Sequence, residues 1–574
     1  MVRFLPASAL VLIALQMVSA QSLDRFFKDT WEETLRDSPE TATGVGRHEY
    51  DDRWTDWSKA GRETRREHIE ARLKALHAIP MAGVTGQDRV TVRLLEYDFQ
   101  SRLDAQDLEI HLLSVGQLFG FHNRIYLTVD RMPAHTVHDY QNIIARLGAV
   151  PAYVDQHIGI LNESIARGMM QPRVVAERVI EQLTTQMNQS AGQTALLAAF
   201  RNFPSGIAPS EQSVLREQAT AAYNAQFLPA WRRLHDFMQT AYLPHVRPAD
   251  SISSMPGGAE AYAILVRRLT TTNMTPAEIH RIGEQEVERI EAEMQKVAAE
   301  TGFKGTLAEF QQQLKNDPAQ HFHSKEEMLI YCRNIAKIIE PELPHEFRHI
   351  PVLLYGVRAI PADREASTAT NAQAPSPDFE TPGWFNLNTY EPEKQVKFDK
   401  EALVLHEAVP GHVFQITLAH GLKGLPEIRR FYGNSAFAEG WALYSEGLGE
   451  QLGVYRDPMS RFGQLASEQF RAVRLVVDTG IHQMGWTRDQ AIEYFRLHAP
   501  QESVAEIDRY ISWPAQALSY KMGQLRILQL RNEAQQKLGA KFDIRDFHDA
   551  VLQNGTLPLD LLREEVEEQY IAAR

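Results

Sequence analysis

The sequence predicts a mainly α protein: a large helical body in two lobes, with one small β-sheet in the second. Three observations carry this. Apolar residues recur at three- and four-residue spacings over long stretches. Only two segments read as strands. A turn-rich stretch, PHVRPADSISSMPGG (244–258), separates a helical N-terminal part from a C-terminal part holding both strand candidates. The 574 residues suffice for several domains or for one two-lobed body. A hydrophobic fraction of 44% with 23% charged residues is ordinary for a soluble globular chain.

The chain opens MVRFLPASALVLIALQMVSAQS. Arg3 precedes an apolar run from Ala9 to Val18, and Val18-Ser19-Ala20 is a small-x-small end. This predicts a secretory signal peptide over residues 1–20, cut after Ala20, and a periplasmic or secreted protein. The run is shorter than the roughly 20 apolar residues a spanning helix needs, and no later segment reaches that length, so no membrane span is expected in the mature chain. The single cysteine, Cys332, excludes an intramolecular disulfide. An exported protein of this size without disulfides fits a periplasm and relies on its core. The net charge of −14 contains no long run of one sign, so it reads as a solvated surface. It lacks the basic stripe of a nucleic-acid partner.

Residues 21–250 are expected to form the N-terminal helical lobe, with amphipathic helices over 58–79, 136–167 and 210–242. Residues 251–574 form the second lobe. Its first helices cover 275–301 and 324–339. Thr275-Pro276-Ala277-Glu278 sets a cap, a first-turn proline and an early acid in order, and Gly302 ends that helix. The strand candidates are IPVLLYGV (350–357) and GWFNLN (383–388). Between them, 361–382 is rich in Ala, Thr, Ser and Pro and reads as an irregular loop. No internal repeat is present.

Two His-Glu patterns compete for the chemistry. PHEFRHIP (344–351) contains an HExxH, His345-Glu346-Phe347-Arg348-His349. That motif works when both histidines project from one face of a helix onto one metal ion. Pro341, Pro344 and Pro351 deny it a helix, and Pro351 biases Ile350 toward extended angles. The spacing therefore predicts a turn with diverging imidazoles. The second pattern, HEAVPGH (406–412), sets His412 six residues after His406. On a regular helix six steps leave the two about 120° apart. One reading is two unrelated helical histidines around a break. The other takes Pro410-Gly411 as a local break that swings His412 back toward His406. Asp399 as N-cap and Phe398 near a staple position support a helix leading in. The helix SAFAEGWALYSE (435–446) follows with Glu439 and Glu446 seven residues apart, nearly on one face. Two His plus one Glu with an open position is a catalytic zinc set. A further acid such as Glu446 would buttress a ligand histidine. Spacing alone leaves both readings open.

HEAVPGH, AEGWALYSE, RLVVDTGIH (474–482) and QALSYKMGQ (516–524) together resemble a bacterial family called domain of unknown function 885, grouped with the zincin-like metallopeptidases. The resemblance covers most of the mature chain, more tightly from about residue 351. It implies a mainly helical fold with a deep cleft, and a zincin-like catalytic lobe over 251–574. It further implies one zinc ion held by His406, His412 and Glu439, with Glu407 as general base. The family often has a second histidine after His412; here Val413 stands there. It often has glycine where this chain has Ala515, and alanine stiffens that turn.

The chemistry of a zinc-activated water then assigns the remaining candidates. Tyr520, on a helix expected over 514–538, would donate to the oxyanion, with His482 as a second donor. Arg474 and Lys521 would hold a substrate carboxylate. Strand 383–388 would offer its edge to an extended peptide, with Asn386 and Asn388 on one face. The expected activity is a zinc-dependent peptidase. The alternatives are a non-catalytic periplasmic binding protein on the same helical fold, and a zinc hydrolase of a non-peptide amide or ester.

Overall fold

Capping chemistry starts several helices where the sequence expects them. In the computed structural model Thr275 and Glu278 form a capping box at the head of Pro276–Glu300, which closes at Thr301 before Gly302. Ser58 accepts from Gly61 N at the start of Lys59–His77, Thr136 and Asp139 box the start of Val137–Gly148, and Ser324 caps Lys325–Ile339. The structure describes residues 7–362, 365, 368–377, 381–500 and 502–573, with residues 7–21 given by their backbone alone. The leader expected over 1–20 thus falls partly outside the described residues; from Ala7 the backbone is helical through Asp37. Among the described residues no helix is long and apolar enough to cross a membrane.

The chain is mainly α, and its contacts cluster into two units. The first takes Met1–Asp250, Ser254–Ala261 and Pro426–Ile428; the second takes Ser251–Ser253, Tyr262–Leu425 and Arg429–Arg574. The first unit is built from amphipathic helices around large buried aromatics. Phe227 and Trp231 stack with ring centroids 4.3 Å apart in its core. The expected helix over 210–242 runs as Pro209–Ala222, Leu228–Phe237 and two π-helical turns between and after them. The buried Arg146 guanidinium donates to Arg53 O and Thr43 Oγ1, at 3.0 and 2.8 Å, and lies over Trp54.

The second unit holds the candidate site residues. Its elements are labelled α1 (Pro276–Glu300), β1 (Tyr355–Ala359), β2 (Asn371–Gln373), β3 (Gly383–Leu387), α2 (Lys400–Glu407), α3 (His412–Gly421), α4 (Ser435–Glu446), α5 (Pro458–His482), α6 (Ala505–Ser512) and α7 (Ser519–Leu538). Helix α1 lies along α5, α4 lies along α7, and α2 packs on both α4 and α5. The sheet order is β1-β3-β2, with β3 parallel to β1 and antiparallel to β2.

That order corrects an expectation. Strand β3 is central, so both its edges are paired and neither is open to an extended peptide. The unforeseen strand β2, from within the expected loop, takes one side. The strand expected over 350–357 starts only at Tyr355, because Ile350, Val352 and Leu354 face solvent and gain nothing from a sheet.

Candidate metal centre

Helix α2 ends at Glu407, where Ala408 leaves helical geometry at φ −100° and ψ −95°. The break expected at Pro410-Gly411 is complete, and it separates two helices. His406 stands in the last turn of α2 and His412 is the first residue of α3. The turn between them is stitched from both sides: Phe414 N donates to Ala408 O at 3.2 Å, and Trp441 Nε1 on α4 donates to Pro410 O at 2.8 Å. The Val409–Pro410 peptide is cis. A Cβ at Gly411 would overlap the carbonyl oxygens of Leu405 and His406, so only glycine lets the chain double back this tightly. The Asp399 carboxylate binds Lys400 Nζ at 2.8 Å and makes no cap bond to α2.

The turn brings three side chains together. His406 Nε2 and His412 Nε2 lie 3.6 and 3.3 Å from Glu439 Oε2. The imidazoles are nearly perpendicular, at 89°, with centroids 4.9 Å apart. One donor atom from each of His406, His412 and Glu439 falls within 4.8 Å of the others. Two ligands about 2.0–2.1 Å from a tetrahedral zinc ion stand about 3.3–3.5 Å apart. The donor set and its spacings therefore fit that ion. Glu446, one turn-pair along α4, places Oε1 2.8 Å from His406 Nδ1. This fixes the ring and aims Nε2 at Glu439.

Burial and charge polarise the cluster. Burial works to raise the Glu439 carboxyl, yet the two imidazoles hold it well below the usual carboxylate range. Burial opposes protonation of His406, but its bonds to Glu439 and Glu446 push it up to about 9. Glu407 responds differently: burial pushes its carboxyl upward against the pull of His412 and His406, and no hydrogen bond engages it among the described residues. The side chains of His412 and Glu439 remain 14% and 20% exposed, so the centre can be reached.

Tyr520 stands in the first turn of α7 with its ring 17° from that of His406, centroids 6.2 Å apart. Its hydroxyl accepts from Arg509 Nη2 at 3.1 Å, and the Arg474 guanidinium lies 4.5 Å from its ring. The turn leading to α7 puts Ala515 at φ +69°, a left-handed conformation that glycine tolerates better. Asp478 of α5 holds this turn by accepting from Ala515 N at 3.1 Å.

Other expected residues do not join the centre. His482 is fully buried, with Nε2 on Tyr510 O at 3.0 Å and Nδ1 accepting from Ile252 N at 3.1 Å; both nitrogens serve the backbone, so the ring has none to offer an oxyanion. Lys521 is fully buried and its ammonium meets Glu468, Gln524 and Glu286 at 2.6, 2.8 and 2.8 Å, which uses all three N–H groups. It is a structural cation and cannot hold a substrate carboxylate. Asn388 donates to Glu365 O and Thr368 O and accepts from Tyr390 N, which pins the loop before β3. Asn386 binds Asn371 and Arg358 across the sheet. In PHEFRHIP a single helical turn ends at Glu346 and Phe347 is extended. His345 binds Glu342 and His349 binds Asp549, so these imidazoles diverge. Sequence reasoning missed Arg471 and Arg509, which flank Tyr520 from α5 and α6. No spacing rule links residues on three separate elements, and only the resemblance to QALSYKMGQ singled out Tyr520.

Comparison with known proteins agrees with this frame. A protein from Colwellia psychrerythraea has the same fold at a TM-score of 0.91 and 27% identity, over 97% of this chain and 100% of that one. A protein from Shewanella oneidensis matches at a TM-score of 0.73 and 18% identity, over 95% of this chain and 100% of that one, a likeness of fold alone. Both are described as a "putative lipoprotein", the second of unknown function. No curated protein matches. A family model described as "Bacterial protein of unknown function (DUF885)" matches residues 39–566. With nearly the whole chain inside that match, and HEAVPGH and AEGWALYSE forming its buried centre, this protein belongs to the DUF885 family.

Proposed function

We propose that this protein is a zinc-dependent hydrolase, a peptidase by substrate class, acting outside the cytoplasm. The observation that carries the reading is the meeting of His406, His412 and Glu439 at ligand-to-ligand spacings, with Glu446 bonded to the far nitrogen of His406. Zinc held by these three residues supplies a Lewis acid and makes a water molecule acidic near neutral pH. The chain's own residues do the rest. Glu407, next to His406, is the proton carrier: burial makes its carboxylate a better base, suited to take a proton from water and return it to the leaving nitrogen. A phenol oxygen that accepts a hydrogen bond keeps its own O–H to donate. The Arg509 bond to Tyr520 thus leaves the phenol free to steady the oxygen that gains charge. The retained Glu407 favours catalysis over passive binding, since a structural metal site has no use for an unbonded acid there. Export is supported by the signal-like leader over 1–20 and by the lipoprotein description of the similar Colwellia psychrerythraea structure.

The test combines metal analysis with a peptide-library digest read by mass spectrometry, with and without a chelator. The wild-type chain is expected to carry one zinc and to cut peptides until the metal is stripped. Glu407→Gln is expected to keep its zinc and to lose about 10²–10⁴-fold in turnover. A Glu407→Gln chain as active as wild type, or activity untouched by metal removal, would overturn the proposal.

A further inference from the structure

Three guanidinium groups crowd around Tyr520. Arg474 and Arg471 of α5 lie 4.5 and 6.0 Å from its ring, and Arg509 of α6 lies 5.9 Å from it. Their protein partners do not use them up. Arg474 gives Nη2 to Glu506 at 2.9 Å and Nε to Tyr510 Oη at 3.1 Å, while its Nη1 is buried with no hydrogen-bond partner among the described residues. The Nε groups of Arg471 and Arg509 are likewise buried and lack a hydrogen-bond partner among the described residues. A buried donor without an acceptor is costly, and three in one cluster mark a place built to receive acceptors.

The charge count points the same way. Among the described residues Glu506 is the carboxylate hydrogen-bonded to the cluster, and it is shared between Arg474 and, at 3.4 Å, Arg509. Glu446 lies 3.6 Å from Arg471 but is committed to His406. Glu502 also faces the arginines, yet burial pushes its carboxyl up to about 7 against the pull of Arg471, so near neutrality it carries less than a full charge. Three cations therefore share one hydrogen-bonded carboxylate among the described residues, while Glu407 and Asp478 act on Arg471 and Arg509 only through space. Guanidinium forks match a carboxylate in shape and charge. Arg471 and Arg509 are 13% and 17% exposed, which leaves the cluster a route to solvent. Two short steps, 6.2 Å from the His406 ring to the Tyr520 ring and 4.5 Å on to Arg474, join the centre to the cluster. About three residues of extended chain span that reach at most.

We propose that Arg471, Arg474 and Arg509 form a carboxylate subsite, and that the substrates are peptides whose free C-terminal carboxylate lies within about three residues of the scissile bond. The cleavage part of this rests on the hydrolase reading; the binding part does not.

The test uses a random pentapeptide library made as free acids and as C-terminal amides. With zinc-loaded wild type, free acids are expected to be trimmed near their C-termini at least about 100-fold faster than amides. With full-length Glu407→Gln, free acids are expected to raise the thermal midpoint and amides to leave it unmoved. Arg471→Gln, checked by circular dichroism and zinc content, is expected to lose both preferences. Arg509→Lys keeps the charge without the fork and is expected to lose most of them. Free acids that bind through the arginines without being cut would leave the subsite standing and remove the hydrolase. Acids and amides cut at equal rates would keep the hydrolase and remove the subsite. Failure of the free acids to bind the Glu407→Gln chain, or free-acid binding undiminished in the Arg471→Gln chain, would also remove it.

Discussion

Glu446 shows how one buried carboxylate governs the setting of a neighbouring histidine. It is fully buried, its Oε1 takes the Nδ1 proton of His406, and its Oε2 has no hydrogen-bond partner among the described residues. Burying an acid this way is costly unless a charged or strongly donating group answers it. The return is a single tautomer, with His406 Nε2 turned toward Glu439. Glutamine at this position keeps the shape but weakens that hold on the ring. Glu446→Gln is therefore expected to lower zinc affinity about 10–100-fold, read by competition with a coloured chelator, and Glu446→Ala to lower it further. Unchanged affinity would make Glu446 a packing residue only. At this scale the sequence was partly legible. Glu446 was readable because seven residues on a helix return to nearly the same face as Glu439. Lys521 and His482 were misread because residue type does not say which neighbour takes the hydrogen bonds. Lys521 was spent on Glu468, Glu286 and Gln524, and His482 on two backbone groups.

Elements position these residues through two close approaches that glycine permits. One is the turn at Gly411. The other is the crossing of α4 and α7, where a Cβ on Gly440 would overlap the Gly523 backbone and one on Gly523 would overlap Ala436 O. The crossing sets Glu439 and Tyr520 on neighbouring helices around the same centre. Gly440→Ala must push the helices apart. It is expected to cost about 1–3 kcal/mol, read as a lower urea midpoint, and Gly523→Ala about the same. The double variant is expected to cost less than both together, because the two methyl groups contest one space. No loss in either variant would mean the helices have slack. The sequence revealed that helices lie at 435–446 and within 514–538, and that Pro410-Gly411 interrupts a helix. It did not reveal which glycines mark a crossing, since that depends on a partner 83 positions away. Alternation likewise disclosed a strand at 383–388 but not its place between β1 and β2, because pairing order is decided by the returning loop.

At the scale of the whole molecule, every candidate site residue lies in the second unit. Contact clustering also moves three short segments, Ser251–Ser253, Ser254–Ala261 and Pro426–Ile428, out of chain order, and these left no mark in the sequence. The stability of that unit is coupled to pH through Asp478, buried between α5 and the turn before α7. Asp478 accepts from Tyr262 Oη at 2.6 Å and from Ala515 N at 3.1 Å, and so holds the left-handed Ala515 in place. Burial nevertheless dominates and pushes its carboxyl up to about 7, with those donors pulling the other way. An unfolded aspartate titrates near 3.9. A group whose folded value is raised stabilises the fold fully below the unfolded value, and that contribution is lost as pH climbs through the folded one. For Asp478 the loss runs from about pH 4 to about pH 7, at up to roughly 1.4 kcal/mol per pH unit. The buried His548, lowered to about 3 by burial, acts in the opposite sense, adding stability as pH rises toward its unfolded value near 6.5. The raw profile is thus a compromise, and the comparison of wild type with Asp478→Asn isolates the one group. The variant is expected to be less stable at pH 4–5, where the protonated acid it replaces is at its best. The gap should close between pH 5 and 7.5, measured by urea unfolding in steps of half a unit. A gap that stays constant across that window would show that Asp478 keeps its ordinary acidity in the fold, and that the Ala515 turn is held by a full negative charge.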